Sequence, residues 1–464
     1  MYKRQGSEYT SNSVFGRVIY SYADRYLFQA NVRHDGSSRF AKGYRWGTFP
    51  SFSAGWVASE EKFMKNLKWD WLSFLKLRGS WGMLGNERIG SNYFPYIALM
   101  SFGNSLFYMA DGSVVSDKTA RPAVLAVEDI TWETTTSTDL GLDVNFLNNR
   151  LQFHFDYYWK ETKDMLLNIE IPYFMGYNNP STNAGKMSTH GYDIEVAWND
   201  QIGDFKYGVN VNFSDFLSKI DYMNDGEQIS GGKIKRAGVL FNEFYGYVCE
   251  GIYQTQEEVN NSARTSTTVT VGDLKYRDIS GPDGVPDGVI SPEYDRVPLG
   301  NSLPRFQYGG SLNASYKGID FSLAFQGIGK QNSYLSTSMV QPLRDNYGNV
   351  PAILEGKYWS PFNTTEENLA AKYPRLSNVS KSNNYATSNF WMFNGSYFRL
   401  KNITLGYTLP KSWTQKAGIN RARFYVSGSD LFCLSNFPSG WDPEMGTSDY
   451  PITTSLVMGI QVNF

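Results

Sequence analysis

The sequence predicts an all-β fold, an antiparallel transmembrane β-barrel, and three observations carry that prediction. Long segments alternate apolar and polar residues, which gives a strand one apolar and one polar face because successive side chains point to opposite sides. Aromatic residues make up 16% of the 464 residues, with 32 Tyr, 30 Phe and 12 Trp, and membrane barrels place such residues in girdles at both interfaces. Connections alternate between tight turns and long stretches, as they do where one rim of a barrel carries short turns and the other carries extracellular loops.

Alternation and turn residues, read in chain order, give about fourteen strands. Strands 14–22 and 25–35 flank a tight turn at Ala23-Asp24, and 47–58 and 73–83 follow before a long stretch at 84–130. Strands 136–146 and 150–163 flank Asn148-Asn149. In the second of these, Leu151, Phe153, Phe155, Tyr157 and Trp159 fall on one face, and Gln152, His154, Asp156, Tyr158 and Lys160 on the other. Strands 189–199 and 204–214 flank Asp200 to Gly203, with Tyr207, Val209, Val211 and Phe213 alternating with Gly208, Asn210, Asn212 and Ser214. After a second long stretch, 215–241, comes 242–253, and after a third, 254–303, come 304–316 and 318–330 around Lys317-Gly318; there Phe321, Leu323 and Phe325 alternate with Ser322, Ala324 and Gln326. A fourth long stretch, 331–395, precedes 396–409, 420–432 and a final strand over 452–464. That last strand is apolar at Ile452, Leu456, Met458, Ile460, Val462 and Phe464.

Other classes are excluded on simple grounds. No run approaches the ~18 apolar residues of a spanning helix, and a mean hydropathy of −0.41 fits strands that are only half apolar. The formal net charge of −2 offers no electrostatic reason to bind nucleic acid. Cys249 and Cys433 lie far apart and lack metal-ligand spacing. Met-Tyr-Lys-Arg-Gln-Gly at the start has no apolar core or cleavage site, so it is not a secretory signal, and Met1 is expected not to be the native start of an exported barrel. A large β-sandwich or a propeller would also be aromatic. The absence of a repeat of fixed period and the uneven loops count against the propeller.

Several stretches resemble the SusC/RagA family of TonB-dependent outer-membrane transporters. They are Tyr22-Ala-Asp-Arg-Tyr-Leu27, Arg33-His-Asp-Gly-Ser-Ser-Arg-Phe40, Arg45-Trp-Gly-Thr-Phe-Pro-Ser51, Gly55-Trp56 with Ser59-Glu-Glu-Lys-Phe-Met64, and Leu75-Lys-Leu-Arg-Gly-Ser-Trp-Gly82 with Gly85-Asn86. Trp132-Glu133, Leu140-Gly-Leu-Asp143, Asp156-Tyr-Tyr158, Asp164-Met-Leu166, the run from Gly395 to Tyr407 and Trp441-Asp-Pro-Glu444 continue the series to the end of the chain. The resemblance implies energised uptake of bulky nutrients, typically glycans or peptides, through a barrel of about 22 strands filled by an N-terminal plug. It implies a SusD-like lipoprotein over the extracellular mouth, a TonB complex acting through the plug, the barrel-assembly machinery as a partner during insertion, and an outer-membrane location. Residues 1–464 correspond to the C-terminal part of such a barrel, with the plug and the first strands expected to be missing. Alone, the chain is then expected not to close into a stable pore, since the edge near Val14 would lack its partner.

The densest set of hard oxygen ligands is the loop Asp278, Asp283, Asp287 and Asp295, which approximates a calcium loop but is one residue too long and carries Val285 where a ligand would stand. The alternative is a solvated Asp/Pro/Gly turn. His34, His154 and His190 lack the helical pairing of a zinc site. Gly226, Gly231 and Gly232 form no phosphate loop, and Gly428-Ser429-Asp430 lacks a nucleophile elbow; no required cofactor and no enzyme activity are expected. Aromatics of the long stretches, among them Tyr93, Phe94, Tyr96, Phe107, Tyr108, Tyr173, Phe174, Tyr177, Tyr358, Trp359, Tyr385 and Trp391, either pack the loops or stack on sugar rings.

Two functional readings compete: a non-enzymatic importer, and a soluble or surface β-rich carbohydrate-binding or adhesion protein. A glycoside hydrolase would need two carboxylates about 5–10 Å apart in a cleft. The importer requires Phe153, Phe155, Phe321, Phe325, Val462 and Phe464 to face outward and Gln152, His154, Asn210, Asn212 and Gln461 inward, because a one-residue slip would reverse every face. It also casts Phe464 as an assembly signal.

Overall fold

The computed structural model describes residues 8–67, 69–90, 93–224, 226–335, 341–344, 350, 352–446 and 450–464. Thirteen antiparallel strands lie side by side in chain order in one sheet: β1 (Ser11–Tyr22), β2 (Tyr26–Ser37), β3 (Trp46–Val57), β4 (Leu72–Asn86), β5 (Glu133–Phe146), β6 (Leu151–Asn168), β7 (Ser181–Ile202), β8 (Phe205–Met223), β9 (Arg305–Tyr316), β10 (Ile319–Lys330), β11 (Tyr397–Thr408), β12 (Arg421–Ser435) and β13 (Ser455–Asn463). The chain divides into two compact units, the first mainly Met1–Val196 and the second mainly Leu240–Phe464, with the boundary passing through β7 and β8.

Thirteen of the expected strands are present; the one expected at 242–253 is not part of this sheet. It divides into Glu243–Tyr247 and Cys249–Ile252, which belong to a four-stranded and a two-stranded sheet. The reason is visible in burial: Phe244, Tyr245, Gly246 and Tyr247 are all buried, so this segment has no polar face to turn to a lumen, and Gly251 at φ 138° breaks its register. A hairpin, Leu99–Tyr108 with Val114–Val124, stands where only a long connection is expected. The turn expected over Asp200 to Gly203 is confined to Gly203 and Asp204, and the last strand begins at Ser455, three residues later than its pattern suggests.

Chain order fixes which connections share a rim. The tight turns Ala23-Asp24 and Lys317-Gly318 have positive φ at both positions, the twist that lets a two-residue turn follow the right-handed twist of its strands.

Registers in the first unit place Leu77 opposite Leu142, Val144 opposite Phe153, and Leu142 opposite Phe155. In the second, Phe321 lies opposite Leu405, Leu405 opposite Val426, and Val426 opposite Met458. The intervening positions are polar: Asn145 with Gln152, Asp143 with His154, Asn210 with Ser311, and Arg423 with Gln461. The apolar face is open, with Leu140 at 54%, Leu405 at 56% and Met458 at 73% exposure. Among the described residues these side chains do not meet across a closed internal core, as the sandwich of the rival reading would require. An apolar face this extensive is stable only against lipid or another apolar surface.

Five of the recognisable stretches meet in and around one small core of the first unit. Phe40 and Ile130 are fully buried with Phe49, Ile89 and Trp132, and both Phe rings lie 5.4 Å from Trp132. Trp132 Nε1 donates to the Arg45 carbonyl at 3.0 Å. Glu133 accepts from Asn86 Nδ2 and from the Leu166 N–H, each at 3.0 Å. A Cβ on Gly85 would stand 2.1 Å from the Phe49 ring, so only glycine fits there.

Candidate functional site

The polar face carries the functional chemistry of both units. In the first, Lys76 and Arg78 on β4, Asp139 and Asp143 on β5, and His154 and Asp156 on β6 fall on that face because they alternate with the apolar positions. Arg78 pairs with Asp156 at 2.5 Å, Asp143 at 3.2 Å and Asp139 at 3.6 Å. Lys76 lies 3.8 Å from Asp143, and His154 Nδ1 lies 3.0 Å from the same carboxylate. Gly141 stands opposite Arg78, where a Cβ would meet the guanidinium carbon at 2.4 Å. The network fixes an array of charges on the wall. Its signal in the sequence is charges at alternate positions of three neighbouring strands.

In the second unit, a groove of about 520 Å³ is lined by Asn210, Asn212, Gln307, Ser311, Gln326 and Tyr397, among others. Gly309, Gly310 and Gly327 form its floor; the Tyr308 ring lies over Gly327, 2.4 Å from where a Cβ would be, and its hydroxyl donates to the Tyr397 carbonyl at 3.2 Å. Amide and hydroxyl groups dominate this wall, which suits a neutral polar chain. Beside it Arg399, only 3% exposed, pairs with Asp442 and Glu444 at 2.7 Å each and with Asp430 at 3.8 Å. Lys401 pairs with Asp430 at 2.7 Å, and Gln326 Nε2 donates to Glu444 at 3.2 Å. Two stretches of the resemblance, around Tyr397 to Lys401 and Trp441 to Glu444, are therefore one charged assembly.

A sheet with one exposed apolar face, one charged and amide-rich face, tight turns on one rim and long connections on the other matches a known family. The family described as "TonB dependent receptor-like, beta-barrel" covers residues 2–427. The chain belongs to the TonB-dependent receptor β-barrel family. Within it the barrel is of the SusC/RagA type. TonB-dependent receptor P3 of Formosa agariphila is 31% identical over 97% of this chain and 45% of its own length. TonB-dependent receptor SusC of Bacteroides thetaiotaomicron is 30% identical over 97% of this chain and 43% of its own. The solved structure of the RagAB peptide transporter superposes with a TM-score of 0.79 at 25% identity, over 99% of this chain and 48% of that one. The chain thus spans a little under half the length of the curated relatives it matches. Proteins of this family are transporters and not enzymes, and their barrels lie in the outer membrane of Gram-negative bacteria. The apolar face of this receptor barrel is accordingly its lipid face, and the Arg78 network and the amide groove line its lumen.

The long connections of the receptor's second unit build a folded insert. Asp273, fully buried, pairs with Arg375 Nε at 2.7 Å and accepts from Asn384 Nδ2 at 3.0 Å and the Thr270 N–H at 2.9 Å. Trp391, also fully buried, donates from Nε1 to the Asn384 carbonyl at 2.7 Å and packs edge-on against Phe390. Trp359 and Trp391 are thus core residues of the insert and half-buried Tyr385 packs on Trp391 at 5.6 Å, whereas Phe107, Tyr108 and Phe174 are exposed; the side chain of Tyr173 lies outside the described ones.

Burial pushes the Cys249 thiol up to about 11. Alkylation of Cys249 by iodoacetamide is expected to be slow at pH 8 and to accelerate towards pH 11, since only the thiolate reacts. A rate at pH 8 equal to that of a free thiol would contradict this burial.

The acidic loop is held by its own backbone. Asp295, fully buried, accepts from the N–H groups of Ile279 and Ser291 at 2.7 Å and of Ser280 at 3.3 Å. Asp278 accepts from Gly288 N–H at 2.7 Å and Asp287 from Val289 N–H at 2.9 Å, while Asp283 is exposed. Among the described residues no three acidic, His or Cys side chains converge as metal ligands. His34 stacks on Trp46 at 4.7 Å. Ser429 lies near Asn402 Nδ2 at 3.4 Å. Phe464 follows the last strand and is 85% exposed.

Proposed function

We propose that this chain is the wall of a TonB-energised importer that takes up glycans or peptides together with a SusD-like surface lipoprotein. The observation that carries the reading is the division of one sheet into a lipid face and a lumenal face bearing fixed charges and amides, together with the folding of the second unit's long connections into a structured insert. TonB dependence is what the names of the relatives P3 and SusC state of those proteins, and peptide transport is what the RagAB structure states of its own. A neutral groove beside charged clusters accommodates the hydroxyls of a glycan or the backbone of a peptide, both of which exchange hydrogen bonds with Asn and Gln amides.

The test is uptake by cells carrying the full-length parent protein. Deleting its gene is expected to abolish growth on one glycan or peptide source, and the intact gene should restore it. Loss of TonB should abolish that growth as well. Uptake that continues at the same rate without TonB would refute energised import.

A further inference from the structure

The connection between β12 and β13 leaves the wall on the rim of the long connections, yet its described part at 436–446 turns back onto the lumenal face. Gln326 on β10 lies opposite Arg399 on β11, so both stand on the lumenal face beside the amide groove. Residues 441–446 reach both of them. Asp442 and Glu444 hold Arg399, and Glu444 also accepts from Gln326 Nε2 at 3.2 Å and lies 3.8 Å from Lys401. Gln326 Nε2 donates as well to Tyr397 Oη at 3.4 Å, and Gln326 and Tyr397 are part of the groove's lining. The segment is therefore a strap that borders the groove on this side.

The strap is fastened twice and braced by its own backbone. Trp441 packs on the core of Leu335 and Phe437 at one end, and Asp442 and Glu444 make the ionic fastening at the other. The Asp442 carbonyl accepts from the N–H groups of Met445 at 3.2 Å and Gly446 at 2.8 Å, while Asp442 Oδ1 accepts from Glu444 N–H at 2.9 Å. Pro443 between them is buried. The far side of the groove is fixed too. Beside Ser214 and Gln307 of its lining, buried Asp215 accepts from Nε and Nη2 of Arg305 and from Phe306 N–H.

Connections ordinarily run over a protein's surface, where water satisfies their polar groups. Burying a guanidinium with its carboxylates costs desolvation that the pairing does little more than offset, so the cluster is a weak source of net stability. Losing one partner is nevertheless costly, and that holds the strap in one place. A groove of about 520 Å³ with both borders fixed takes a segment of one polar chain and leaves no room for a branch. We propose that residues 441–446 are a specificity-determining strap: pinned by Arg399, they close one side of the amide groove and set the bulk of what passes along this part of the lumen. The proposal rests on the lumenal position of the groove and not on the substrate, so a failure of TonB-dependent uptake would leave it standing.

The experiment uses the full-length parent protein, folded in detergent, with Cys249→Ser and Cys433→Ser and a single thiol introduced by Ser311→Cys. Ser311 lines the groove from β9, opposite Asn210. N-ethylmaleimide and a maleimide on a long polyethylene glycol chain attack that thiol by the same chemistry, and each rate is divided by its rate with free 2-mercaptoethanol. The ratio of bulky to small reagent is expected to lie well below one while the strap is pinned. It should rise several-fold in Arg399→Ala, and also in the double variant Asp442→Asn with Glu444→Gln, which keeps the guanidinium. Heat-modifiable migration checks folding, and the double variant decides where Arg399→Ala does not fold. Arg423→Ala removes another ion pair of this wall, that to Asp320, and should leave the ratio where it was. A ratio near one with the strap pinned would overturn the proposal, as would a ratio that neither strap variant moves or that Arg423→Ala raises equally. So would a thiol at 311 that even N-ethylmaleimide fails to reach, since the groove would then be closed to any chain.

Discussion

Replacing Arg399 by alanine is expected to free the Trp441–Glu444 segment from the wall and to lower the barrel's stability by about 3–5 kcal/mol, the cost of removing one partner from a buried ion pair. Arg399 is 3% exposed and holds Asp442 and Glu444 at 2.7 Å. Without it Glu444 keeps Gln326 at 3.2 Å and Lys401 at 3.8 Å, and Asp442 keeps the Glu444 N–H at 2.9 Å. They must then reach water, which swings the segment outward and uncovers the small core of Leu335 and Phe437, against which Trp441 packs. Arg399→Lys should recover only part of the loss, since one ammonium cannot bridge two carboxylates as the guanidinium does, with Nη2 on Asp442 and Nε on Glu444. Thermal unfolding of the full-length protein in detergent, followed by heat-modifiable gel migration, reads the difference. A change below about 1 kcal/mol, as for an exposed pair, would mean that the cluster is already solvated.

Arg375→Ala should have a comparable effect, confined to the insert. It strands the fully buried carboxylate of Asp273, leaving Asn384 Nδ2 and the Thr270 N–H to hold a charge that a guanidinium neutralises in the native fold. A loss of about 3–5 kcal/mol corresponds to a rise of roughly 10²- to 10⁴-fold in the open population of the insert. Limited proteolysis of intact cells is the appropriate measurement, because cleavage follows that population when reclosing is fast. Cleavage should fall within 254–303 or 352–395 while the thirteen strands stay intact. Unchanged protection, or simultaneous loss of the barrel, would show that Arg375 does not have this local role.

Much of this architecture is legible in the chain, and the parts that are not share a cause. Alternation in Leu151 to Trp159 or Leu456 to Val462 reads directly because each strand there has two different solvents, lipid and water. The segment 242–253 misleads because it too is rich in Tyr and Phe, but all of Phe244 to Tyr247 is buried, and period two vanishes when both faces meet protein. The hairpin 99–124 is hidden for a related reason: it lies in a long connection with no strand pattern long enough to separate it from loop. Asp278 to Asp295 shows what spacing leaves out: three backbone N–H groups bond to Asp295, and such bonds are invisible in spacing.

The sequence by itself determined the fold class, the faces of the clearly alternating strands such as 151–160 and 452–464, and the family, since all three rest on local periodicity and on ordered short stretches. Only the tertiary structure decided why those stretches are there. Phe40, Phe49 and Trp132 close one core, Arg399 and Lys401 meet Asp430, Asp442 and Glu444, and Asp273 meets Arg375 across 102 residues of chain. Periodicity reports the environment of a single strand. Ion pairs and ring contacts depend on which distant segments the sheet brings together, and that is fixed by register and by the loops' own packing.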